Sequence, residues 1–165
     1  MLRYDAKPSI TVEQFLDACK TSLSDGDYRL VVSALSGDKT SNNFLRTYQH
    51  FCTMVQSALS EERARKLQLP VEKYRNNGDK SYAVTDAVHL AVANENVLDA
   101  EMSLIVLKWK YLDELTAQHT FDIEAVLSYA LKLTMIVRKN LFSQEAGNNE
   151  FRRLFSNLQY DIKSI

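Results

Sequence analysis

With 165 residues, the chain is long enough to bury a core of its own without disulfides or a metal. Hydrophobic residues at 45% and charged residues at 25% exclude global disorder. A formal net charge of -1 excludes the strongly basic footprint of a nucleic-acid binder, so no nucleic-acid partner is expected. Four glycines and two prolines are too few for a turn-rich sandwich or barrel. The expected fold class is all-α: a bundle of about seven helices around a central antiparallel hairpin, in a single domain over residues 1–165.

After an irregular lead ending at Pro8, Thr11 and Gln14 form a capping-box pattern that opens a short helix through Phe15, Leu16 and Cys19. Ser24 and Asp25 cap a second helix with the stripe Tyr28, Val31, Val32 and Leu35, which ends at Ser36-Gly37-Asp38. Asn42 or Asn43 starts a third, longer helix. Its apolar positions Phe44, Leu45, Tyr48, Phe51, Val55 and Leu59 recur every three or four residues, and it runs to Arg65 or Leu67. Near its end, Glu61 with Arg65 and Glu62 with Lys66 read as i,i+4 pairs on a solvated face.

Pro70 and Asn76-Asn77-Gly78-Asp79 mark the clearest break, so residues 68–81 read as a connector between the N-terminal helices and a helical core over 82–165. A fourth helix covers Tyr82–Ala93. Asn96 caps a fifth, which runs to about Ala117 with Leu98, Met102, Ile105, Trp109 and Leu112 on its apolar face. Asp122 starts a sixth, with Phe121 placed to staple against Val126. Residues 123–141 are apolar nearly all round, the mark of a buried central helix. The short link between the fifth and sixth helices predicts an antiparallel hairpin. A last amphipathic helix uses Phe151, Leu154, Phe155, Leu158 and Ile162.

No catalytic, cofactor-binding or metal-ligating set is expected. The four glycines are isolated, so no phosphate-binding loop is present. Helical di-metal sites need a Glu-x-x-His pair twice. Of His50, His89 and His119, His89 alone has an acid three residues earlier, and that acid is Asp86. His119 reads as a turn residue capping the preceding helix or bonding Asp122, and His50 and His89 as partly exposed helix positions. Cys19 and Cys52 fit no CxxC spacing and read as reduced, packed thiols. No serine sits in a nucleophile elbow. The longest apolar stretch, around Leu104 and Leu107, falls far short of the ~20 residues of a membrane span. A soluble, intracellular chain is expected. Trp109, Tyr111, Phe121 and Tyr129 gather about the hairpin as core or as partner anchors. Leu107, Trp109 and Tyr111 fall on different faces of one helix, which suggests apolar surface meant for another chain.

Residues 94–141 carry the elements ENVLDAE, WKYLDEL and HTFDIEAVLSYALKL and close on the basic pair Arg138-Lys139. This segment resembles an uncharacterised bacterial family encoded alongside bacterial V-type (archaeal-type) ATPases, where it stands in for the C subunit, the counterpart of the eukaryotic d subunit. Residues 2–16, with Pro8 and EQFL, and residues 51–67 are similar to the same family. Ile123, Glu124, Tyr129 and Arg138 echo a helix of that C subunit, while Thr134 and Ile136 stand where that helix has acidic residues. The family opens with an aromatic and apolar segment ahead of this start, which implies that Met1 is an internal start.

The resemblance implies an all-helical, non-catalytic socket that couples the rotating central stalk to the membrane proteolipid ring. Its partners would be the central-stalk subunits and that ring. Its place would be cytoplasmic, peripheral to the membrane through the complex. Tyr111, Asp113, Glu114, His119, Asp122 and Tyr129 match the family's most recognisable positions and are the partner-contact candidates, unless they fix the hairpin's geometry. The alternative is a helical adaptor or assembly factor with no part in the mature motor.

Overall fold

A computed structural model describes residues 2–5, 8–75, 78–142 and 153. Among them are six α-helices and no strand: α1 (Val12–Ser22), α2 (Asp25–Ser36), α3 (Asn43–Lys66), α4 (Tyr82–Ala93), α5 (Val97–Leu115) and α6 (Ile123–Leu141). The 68–81 connector carries a 3₁₀ turn, Val71–Lys73. The expected helix around Phe151 lies outside the described residues except for Arg153, which is helical.

Helix starts follow the capping chemistry of the sequence. The Thr11 hydroxyl accepts from the Gln14 amide, and the Gln14 side chain accepts from the Thr11 amide. Ser24, Asn42, Asn96 and Asp122 cap α2, α3, α5 and α6 through their side-chain oxygens. Two ends use left-handed residues. Gly37 (φ 76°) closes α2. Gln68 (φ 55°) closes α3, with the Gln68 amide donating to Arg65 O at 3.0 Å and the Leu69 amide to Ala64 O at 2.9 Å. That is a Schellman closure with glutamine in the seat that glycine favours.

The hairpin of α5 and α6 is antiparallel. Thr116 meets Ser128, Asp113 meets Lys132, and Glu101 meets Arg138, so the pairing recedes along one helix as it advances along the other. Helices α1 and α2 pack on α6, while α3 and α4 pack on α5. This makes two cores. The first joins Phe15, Val31 and Leu45 to Ile105, Leu112 and Leu127. The second joins Phe51, Val55 and Leu59 of α3 to Val84 and Val88 of α4 and Leu104 of α5. Leu127, Leu112 and Val88 are wholly buried; truncating such a leucine to alanine costs about 2–5 kcal/mol.

The second core corrects one expectation. Leu107 and Tyr111 are not left as free apolar surface, though both stay partly exposed. Both pack on the second core, and Tyr111 stacks on Phe51 with ring centroids 3.7 Å apart, because α5 runs between two cores instead of edging one. Trp109 points into the first.

A second correction concerns the end of α3. Glu61 and Glu62 are buried, at 5% and 6% exposure, and not on a solvated face. Lys80 donates to both oxygens of Glu61 at 2.9 and 3.1 Å, and Arg65 and Arg75 stand at 3.7 and 4.0 Å. Glu62 pairs with Arg65 and with His89 Nδ1 at 3.2 Å. Lys66 instead donates to the Val92 carbonyl on α4. The connector folds back over α3 and brings its cations there, which an i,i+4 pattern does not register. Cys19 and Cys52 are free thiols within the first core, and burial raises both above the usual thiol range.

Candidate functional site

The residues singled out in the sequence converge in part at the α5–α6 turn. The turn is built by its own side chains. Asp122 Oδ1 accepts from the Ala125 amide at 3.1 Å, capping α6, while Oδ2 accepts from His119 Nδ1 at 2.6 Å. The imidazole hydrogen bond holds the Asp122 carboxyl below the usual carboxylate range, with the capping amide acting in the same direction. His119 also lies edge-on to Phe44, with centroids 6.2 Å apart. Beneath the turn, the buried Thr116 hydroxyl bonds the Leu112 carbonyl and meets Ser128 Oγ at 3.1 Å.

Beside this turn opens a groove of about 1070 Å³. Leu2, Phe15, Leu23, Ile123 and Val126 give it an apolar lining. Tyr129 lines it too, stacked on Phe15 with centroids 5.2 Å apart. Lys132 lies at its base, 5% exposed, with Nζ donating to Asp113 Oδ1 at 2.6 Å and standing 5.4 Å from the Trp109 ring centroid. Phe121 stands on the lip, fully exposed. It does not staple against Val126: the extended Asp122 backbone needed for the cap (φ -121°, ψ 175°) leaves the ring in solvent.

Four of the six candidates therefore line one groove: Asp113, His119, Asp122 and Tyr129. Tyr111 lies on the Phe51 side of α5, and Glu114 is exposed and does not line the groove. Lys132 and Phe15 escaped the sequence reading. A lysine in the middle of an otherwise apolar helix was the signal that could have found the first.

Among the described residues, every charged side chain lining the groove already has a structural partner: Asp27 with the Ser24 hydroxyl, Asp113 with Lys132, and Asp122 with His119. His119, Asp122 and Glu124 bring ligand atoms within 4.8 Å of one another. Both Asp122 oxygens are engaged in closing the turn, one of them with His119. The arrangement is suited to gripping an apolar surface, with its polar groups committed to holding the walls. No helix among the described residues is long and apolar enough to cross a membrane.

Neither a curated protein nor a solved structure matches the chain. Residues 78–162, just over half of the chain and including α4, α5, the groove-forming turn and α6, match a family described as "Protein of unknown function (DUF2764)". The chain belongs to the DUF2764 family.

Proposed function

We propose that the chain is a non-catalytic component of a bacterial V-type ATPase, standing in the place of the C subunit as a coupler between the central stalk and the proteolipid ring, and that the groove at the α5–α6 turn docks a partner protein of that complex. The observation that carries the docking role is Phe121. A fully exposed aromatic ring stands on the lip of an apolar groove whose charged residues are all internally engaged. Exposed aromatics beside apolar pockets are the anchors of protein interfaces. The assignment to the ATPase is supported by the resemblance of residues 94–141, which lie inside the family-matched region. A torque-bearing part also needs close-packed elements that resist shear, and α5 is held between two cores.

The test is affinity purification of the tagged chain from its native cells, with and without Phe121→Ala. Catalytic, stalk and proteolipid subunits at fixed ratios are expected with the unaltered chain. Their loss is expected with the variant, at unchanged melting temperature. Recovery of free stalk subunits alone would mean an adaptor used during assembly. Recovery of no ATPase component would end the coupler reading.

A further inference from the structure

The apolar walls of the groove at the α5–α6 turn keep part of their surface outside. Leu2, Leu23, Ile123, Val126 and Tyr129 are all partly exposed, and Phe121 is fully so. Ile123, Val126 and Tyr129 follow one another at every third position of α6. Side chains at that spacing form a ridge along a helix, and such a ridge is what a second helix packs on. The opening of about 1070 Å³ lies beside this ridge.

The charges around the ridge give the occupant its sign. Asp27, Asp113 and Asp122 line the groove against one lysine, Lys132. Lys132 is buried at the base, whereas Asp113 and Asp122 keep 50% and 42% of their side-chain surface exposed. Asp27 is half-buried, and its partner, the Ser24 hydroxyl, carries no charge. The Asp122 and Glu124 carboxylates come within 4.8 Å of each other, which adds to the negative edge. An incoming chain therefore meets apolar surface bordered by carboxylates. Residues 143–165 of this chain do not supply the complement, because Glu145, Glu150 and Asp161 balance Arg152, Arg153 and Lys163. The groove is also built on residues 123–132 of α6, while the chain leaves that helix at Leu141, its opposite end.

We infer that the occupant of this groove is a basic amphipathic helix of a partner protein. The inference rests on the docking role proposed above and adds the partner's chemistry to it. The helix lays apolar residues at i, i+3, i+4 and i+7 along Ile123, Val126 and Tyr129, with Phe121 against its side. Lys or Arg on its flanks face Asp27, Asp113 and Asp122. An acidic helix or an anionic lipid surface would bring like charges together, a penalty that charged interfaces use to reject wrong partners.

The test uses the full chain carrying Thr120→p-benzoylphenylalanine, a photo-crosslinker at an exposed lining position. The probes are two labelled synthetic helices of about five turns, with the same leucine face flanked by lysines in one and by glutamates in the other. The lysine helix is expected to bind about tenfold tighter, to weaken as salt is raised, and to crosslink at position 120. Asp27→Asn with Asp122→Asn should bring the two helices close to parity. If that variant does not fold, Asp27→Asn alone should cut the preference about threefold. Equal binding of both helices with the crosslink formed, or a preference unchanged in a folded variant, would overturn the basic partner and leave the docking role standing. Absence of a crosslink to either helix, or a crosslink from position 120 to residues 143–165 of the same chain, would overturn both.

Discussion

Lys132 Nζ donates to Asp113 Oδ1 at 2.6 Å, joining an ammonium buried on α6 to a carboxylate on α5 that is half in water. The relationship is lopsided: the lysine has no other acceptor among the described residues, whereas the aspartate has solvent. Asp113→Ala should therefore cost about 1–3 kcal/mol, because it strands the buried charge. Lys132→Met removes the charge and keeps the packing, so the double variant should regain most of the loss. Denaturant unfolding of both singles and the double checks this. Additive effects would show that the two groups do not act as a pair.

Glu61 is the buried anchor of the connector. Glu61→Gln removes the charge that Lys80 and Arg75 approach from solvent. Those cations are half-exposed, so global stability should change little. Local opening should change more. Trypsin cleavage after Lys73, Arg75 or Lys80 should quicken about fivefold, the equivalent of about 1 kcal/mol of local protection. An unchanged cleavage rate would mean that the connector is held by other contacts.

Gln68 occupies left-handed backbone at the end of α3. A side chain there costs about 1–2 kcal/mol relative to glycine, partly offset by the extra chain entropy that glycine loses on folding. Gln68→Gly should raise stability by about 0.5–1 kcal/mol, read as a higher melting temperature. Gln68→Val should lower it. The same order reversed would show that the side chain contributes more than its backbone strain costs.

Asp122 links the turn to pH. Its carboxyl is held below the usual range, so its folded value lies under its unfolded one. The stability it contributes is complete above the unfolded value, about pH 4, and is lost as pH falls through the lowered folded value. Melting temperatures followed from neutral pH to about pH 3 should decline less steeply in Asp122→Asn, which keeps a capping oxygen but no charge. Superimposable profiles would remove the ion pair with His119 as a source of acid sensitivity.

The helices were legible because their ends are local chemistry. Thr11 with Gln14, Asn42, Asn96 and Asp122 each state a start within four residues, and α4 falls at Tyr82–Ala93 as its flanking breaks imply. The His119–Asp122 bond was legible for the same reason, three residues apart at a helix start. The rest depended on contacts between distant positions. Lys132 and Asp113 meet across 19 residues, and their pairing needs the register of the hairpin. Glu61 reads as a surface residue until Lys80, 19 residues on, is folded against it. Phe121 fits a staple by spacing alone, but the direction of the chain entering Asp122 decides where the ring goes.

Consecutive residues of α5 serve different cores, Leu104 with α4 and the middle of α3, Ile105 with α1, α2, α6 and the start of α3. Neither half of the molecule can melt and leave the other with a finished interior, since each would take the common helix with it. Heat should therefore find one cooperative unit, and the amides of α5 should be among the last to exchange with solvent. A displacement imposed on α4 likewise reaches α6 through the helix that both cores share.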